Sequence, residues 1–170
     1  MKEFKRIVLI GFRGTGKTTI AKQLAEMLGW PRISSDEMIE QKIGMVISDF
    51  VAKEGWPAFR KVETAVIQQI STEEQAVIDC GGGVIENPRN MAALSNQALI
   101  VWVDAGLEDI FDRLNQSGNR PLLTQGDLRQ DIQTNYERRK PLYQRHSGFY
   151  VNTSKANALE VCREIVKLVF

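Results

Sequence analysis

The chain has 170 residues, 43% hydrophobic and 25% charged, the balance of one globular domain (1–170) that buries its core without disulfides or metals. Its 22 basic and 21 acidic side chains leave a net charge of +1, so no general field draws it to nucleic acid or a membrane, and binding to neither is expected. Two cysteines, Cys80 and Cys162, form no paired motif, and no apolar run is long enough for a signal core or a membrane span. A soluble cytoplasmic protein is expected.

Taken in chain order, Ile7-Val8-Leu9-Ile10 is an unbroken apolar run closed by Gly11, the pattern of a strand buried on both faces of a parallel sheet. Ile20, Leu24 and Leu28 recur at helical spacing and stop at Gly29. "QAVIDC" and "ALIVWV" read as two more buried strands, and Leu107, Ile110, Phe111 and Leu114 as a helix. A short strand near Phe149 to Val151 precedes a last helix whose inward stripe is Leu159, Cys162, Val166 and Val169. Strands alternating with helices predict a three-layer α/β/α fold around a parallel sheet, with ligands beyond the C-terminal strand ends.

The first such strand end carries "GFRGTGKTT", which matches G-x-x-x-x-G-K-[ST] between a predicted strand and a predicted helix. Glycines there let backbone N–H groups turn toward a phosphate, and the helix N-terminus adds positive partial charge. Lys17 reaches the β- and γ-phosphates, and the Thr18 hydroxyl is a ligand for Mg²⁺. Gly11, Gly14, Thr15, Gly16, Lys17, Thr18 and Thr19 are therefore the expected nucleotide contacts. A chance Gly-rich turn is the bland alternative, and the flanking strand and helix argue against it. No N-K-x-D or T-K-x-D run reads guanine, and the chain is too short for a motor or helicase lobe, which leaves a small kinase.

Three further stretches bear on what such a kinase phosphorylates. In "GWPAFRKVE", Arg60 and Glu63 share one helical face beside Phe59. Arg60 is either a grip on an acceptor carboxylate or half of an exposed ion pair. "DCGGGVIE" sets Gly81, Gly82 and Gly83 directly after a strand, where a ligand can approach the backbone closely. "QSGNRPLLTQGD" places Arg120 in a polar stretch with glycines on both sides, the pattern of a mobile lid over about 117–127 that closes on the phosphates and excludes water. "YERRKPLYQRH" then supplies Arg138, Arg139 and Arg145, of which one is expected to reach the acceptor.

Together, Gly11 to Thr18, Asp36, Phe59-Arg60 with Glu63, Gly81 to Gly83, Arg120-Pro121-Leu122-Leu123 and Arg139-Lys140-Pro141-Leu142-Tyr143 resemble shikimate kinase, in order and over nearly the whole chain. The resemblance implies a five-stranded parallel sheet of the P-loop NTPase type, and transfer of the γ-phosphoryl of MgATP to the 3-hydroxyl of shikimate by a monomer. It makes Lys17, Asp36 and Arg120 the catalytic residues, with Asp36 on the acceptor hydroxyls and taking the proton. Phe59, Arg60, Glu63, Arg139 and the three glycines would bind shikimate, with the acceptor-binding region at about 34–63. Arg113 would pack on adenine.

The chain departs from that family at three places. Ser34-Ser35-Asp36 stands where D-x-D is usual, so an acid on the metal side is missing; Trp56 replaces a frequent glutamate; and Gln-Arg-His-Ser follows Tyr143. Ser34 can still hydrogen-bond a metal-bound water. Asp79, ending the run Ala76-Val77-Ile78, is either the substitute metal-side acid or a solvated or capping acid at a strand end. Two other functions fit the phosphate loop: a kinase for another small hydroxy acid such as gluconate, and a nucleotide-binding regulator that has lost its chemistry. The regulator reading leaves Asp36, Arg60, Arg120 and Arg139 free to vanish, yet all four are present.

Overall fold

The computed structural model of the protein describes residues 4–117 and 127–170. Strand β1 (Arg6–Ile10) is buried at every position. Its side chains alternate, with Val8 and Ile10 entering the core on one face of the sheet and Ile7 and Leu9 the core on the other. A strand covered on both sides has no polar face to show, which explains the continuous apolar run.

Strand β1 pairs in parallel with β3 (Ala76–Asp79) on one side and β4 (Ala98–Asp104) on the other. Outside these lie β2 (Arg32–Ser34) and β5 (Phe149–Asn152), giving five parallel strands in the order β2-β3-β1-β4-β5. The expected five-stranded parallel sheet is what the chain forms. Because β3 and β4 sit on opposite sides of β1, the loops leaving these three strands converge at one end of the sheet.

Helices α1 (Lys17–Leu28) and α8 (Ala158–Val169) cover one face through Ile20, Ala21 and Leu24 against Val161, Cys162 and Ile165. The other face is covered chiefly by α4 (Trp56–Ile70), α5 (Pro88–Ser95), α6 (Leu107–Ser117) and α7 (Leu128–His146), with Ile39 of α2 (Ser35–Ile43) added at its edge. Helix α3 (Ile47–Glu54) contributes no fully buried residue.

One predicted face needs correction. Leu159 is 39% exposed, while Val161 and Ile165 are buried with Cys162. The cause lies in the capping box at the start of α8, where Asn157 and Glu160 bond reciprocally. That box fixes the helical phase and puts Leu159 in the first turn, facing outward.

Candidate active site

The loop from β1 to α1 keeps its backbone open. Gly11 has φ 151°, and a Cβ there would fall on the Val103 carbonyl oxygen of β4, so a side chain has no room. Gly16, at φ 94°, makes the left-handed turn from which α1 starts, and so presents the helix's first N–H groups to the loop. Thr15 Oγ1 and Lys17 Nζ donate to the Phe12 carbonyl at 2.8 and 2.9 Å. Gly14 and Thr18 complete the loop, and Thr19 is exposed in the first turn of α1. Arg13, a position the motif leaves open, pairs with Asp131 in the first turn of α7 and ties the loop to that helix.

Asp79 closes β3 with its side chain turned toward the phosphate loop. It is 6% exposed; its Oδ2 accepts the Thr18 hydroxyl at 2.9 Å and lies 3.6 Å from Arg32 Nη1. It is therefore neither solvated nor a helix cap. Ser34 sits opposite Asp79 in the β2–β3 register. Its Oγ accepts the Glu37 N–H at 3.3 Å and caps α2, a job its S-x-x-E spacing signals. The Thr18 and Asp79 oxygens suit Mg²⁺, a hard ion that takes one or two protein oxygens and fills its shell with water and phosphate. Among the described residues no cluster of three His, Cys, Asp or Glu would hold an ion unaided.

Across the cavity, Asp36 stands in the first turn of α2. A Cβ on Gly81 would lie 2.6 Å from Asp36 Oδ1 and 3.6 Å from Glu63 Oε2, so that glycine is what allows two carboxylates to approach there. A Cβ on Gly83 would fall on the Arg60 guanidinium. The glycine triplet thus makes room for the protein's own site residues. The Gly81 N–H is engaged, donating to Ser35 Oγ at 3.0 Å, and Tyr143 donates its hydroxyl to the Gly82 carbonyl at 2.5 Å. Ser35 and Tyr143 carry no assignment from sequence; each supports this loop from behind.

Arg60 donates through Nη1 to both Glu63 oxygens, at 2.9 and 3.0 Å. Glu63 is 1% exposed, so this is not the exposed pair that the spacing also permits. Burial raises the Glu63 carboxyl above the ordinary value, with Arg60 opposing the rise and Asp36 and Glu86 adding to it. The Arg60 guanidinium lies over Trp56 and Phe59, 5.4 and 5.2 Å from the ring centres, which holds it flat. Arg139, from α7, is 3% exposed and lies over Phe12 at 5.8 Å.

One cavity of about 430 Å³ joins these groups: Lys17, Thr18 and Asp79 line one part, and Asp36, Phe59, Arg60, Glu63, the three glycines and Arg139 line another. Trp56, Val46, Ile47 and Ser48 also line it, and apart from Trp56 nothing in their spacing signals the fact. Arg113 lies beside the phosphate loop, donating to the Gly14 carbonyl and Thr153 Oγ1, each at 3.1 Å. Arg120 and almost all of the expected lid lie outside the described residues.

The shikimate kinase family model matches residues 13–170. A shikimate kinase of Thermodesulfovibrio yellowstonii is 39% identical over 96% of this chain and 94% of its own length. One from Dehalococcoides mccartyi is 36% identical over 97% of this chain and 93% of its own. Among solved structures, the shikimate kinase of Acinetobacter baumannii in complex with shikimate superposes with a TM-score of 0.91 at 31% identity, covering 99% of this chain and 94% of that one. Motif, sheet order, cavity and relatives agree, and the chain belongs to the shikimate kinase family.

Proposed function

We infer that the chain transfers the γ-phosphoryl group of MgATP to the 3-hydroxyl of shikimate, giving shikimate 3-phosphate and ADP. The observation that carries this reading is the single cavity shared by a phosphate loop and a pair of arginines. A kinase for a small anionic acceptor needs both within reach of each other, because phosphoryl transfer depends chiefly on positioning and charge stabilisation. ADP release should be measured with shikimate, quinate and gluconate as parallel acceptors. Turnover with shikimate well above the other two is expected; ATP binding without any shikimate-dependent ADP would overturn the reading.

In this proposal the loop N–H groups and Lys17 hold the triphosphate and withdraw charge from the γ-phosphoryl. Thr18 and Asp79 would hold Mg²⁺, which when bound neutralises charge on the β- and γ-phosphates. Arg60 and Arg139 grip the acceptor's carboxylate, and Phe59 walls the ring. Asp36 orients the attacking hydroxyl and takes its proton as the oxygen–phosphorus bond forms and ADP departs. Glu63 holds Arg60 in place. Arg113 is assigned to the adenine side and Arg120 to the lid over about 117–127.

Ser34 does not mark lost chemistry in this reading. Its cap orders the turn that carries Asp36, while Asp79 supplies the metal-side carboxylate. No helix among the described residues is long and apolar enough to cross a membrane. We place the protein in the cytoplasm as a one-domain monomer acting on small molecules, with no nucleic-acid partner.

A further inference from the structure

Glu86 lies in the short 3₁₀ turn Val84–Glu86, just past the glycine loop, and is not among the residues lining the cavity. It is nevertheless the meeting point of the acceptor-side arginines. Its Oε1 accepts from Arg139 Nε at 2.9 Å and from Arg138 Nη2 at 2.6 Å, and its Oε2 stands 3.4 Å from Arg60 Nη2. Burial alone would raise the Glu86 carboxyl; Arg139, Arg138 and Arg60 more than offset this and hold it below the ordinary value, so it is ionised at neutral pH.

We propose that Glu86 is a positioning residue for acceptor recognition, aiming Arg139 and Arg60 at the substrate carboxylate and setting the charge of that corner. The inference rests on the shikimate reading above. A guanidinium is a planar fork, so fixing its Nε edge fixes the direction of its Nη edge. Glu86 takes the Nε edge of Arg139, and Arg139 Nη1 stands 3.6 Å from where a Cβ on Gly82 would lie, at the cavity wall. Arg60 is held in the same way from two sides, Nη1 by Glu63 and Nη2 by Glu86. The two guanidiniums come from different helices, α4 and α7, and Glu86 is the carboxylate that both touch.

The charges give the second half of the inference. Three guanidiniums, Arg60, Arg138 and Arg139, face two carboxylates, Glu63 and Glu86, leaving one positive charge in the corner. A single acceptor carboxylate neutralises it. Without Glu86 the corner carries twice that charge and its two grips lose their common brace. Affinity for the correctly placed monocarboxylate then falls, and selectivity against more highly charged anions falls with it.

The test compares wild type, Glu86→Ala and Glu86→Gln by steady-state kinetics with shikimate, and by calorimetric binding of shikimate and of its carboxamide, which lacks the anionic group. Glu86→Ala should raise KM for shikimate about tenfold, the scale of one charged hydrogen bond. Its kcat and its KM for ATP should stay within about twofold. Glu86→Gln keeps an oxygen toward Arg139 and Arg138, and should fall between Glu86→Ala and wild type. Binding of the carboxamide should change little in either variant. A general folding role predicts parallel losses in kcat, in KM for ATP and in carboxamide binding, and that pattern would overturn the proposal. So would an unchanged KM for shikimate in both variants while the wild type turns over. If the wild type does not phosphorylate shikimate, the acceptor reading fails and this inference fails with it.

Discussion

Asp36 and Glu63 approach the same glycine, Gly81, yet their surroundings separate them. Glu63 is clamped by Arg60 and buried, whereas Asp36 lies in the first turn of α2, half-buried and lining the cavity. In our reading this partition gives Glu63 a structural charge and makes Asp36 the group that takes the proton. Asp36→Asn should therefore lower kcat by roughly 10²–10⁴-fold, the range of positioned proton transfer, with ATP affinity unchanged in calorimetry. Full activity in that variant would remove Asp36 from the mechanism. In the same reading Asp79 supplies the metal-side carboxylate and Ser34 holds the turn beside it. Asp79→Asn should raise the Mg²⁺ concentration that gives half-maximal turnover, and a titration curve matching wild type would end its metal role. Ser34→Asp keeps a good helix cap and adds a carboxylate opposite Asp79, so it should lower that concentration.

At the scale of elements, the parts that were legible are those whose sequence has one physical solution. Strands β1, β3 and β4 are covered on both faces and cannot be written without unbroken apolar runs. Gly11 is dictated by a neighbouring carbonyl. Other parts carry weaker signals. Strand β2 has three residues, too few for a period, and one of them is Arg32. Helix α7 runs 19 residues through Pro141, which cannot donate to the Glu137 carbonyl and reads as a stop. Tertiary contacts hold it instead, with Ile132, Tyr136 and Tyr143 in the core. The exposed faces of α2 and α3 left Val46, Ile47 and Ser48 unmarked, although they line the cavity. The cap of α2 is written in the S-x-x-E spacing of Ser34 and Glu37, at the same position where the family's usual acid is missing. Ser34→Ala should cost about 1 kcal/mol of unfolding free energy in denaturant titration, the usual worth of such a cap. An unchanged midpoint would mean that Ser34 does not hold the turn.

For the whole molecule, two glutamates on the acceptor side, Glu63 buried and Glu86 half-buried, work against each other as pH changes. The Glu86 carboxyl is held below its ordinary 4.5, so its contribution to stability is present above that pH and is lost as pH falls through the lowered value. Glu63 is raised above 4.5; its contribution is full below that pH and is lost as pH rises through the raised value. Glu86→Gln should accordingly flatten the loss of stability on acidification below pH 4.5 and, by removing one of the charges that raise Glu63, also shrink the opposing Glu63 contribution. Thermal melts across that range check the sign, and a loss as steep as in wild type would contradict it. The same corner that sets this acid response holds the substrate's carboxylate in our reading, so recognition and stability share their charges.

In our reading the phosphate loop and the arginine corner together direct one phosphoryl group to one hydroxyl. The most direct measurement is ³¹P detection of the products formed from ATP, Mg²⁺ and shikimate by the purified protein. Shikimate 3-phosphate should appear in step with ADP. Inorganic phosphate alone, or a phosphate on another hydroxyl, would contradict it.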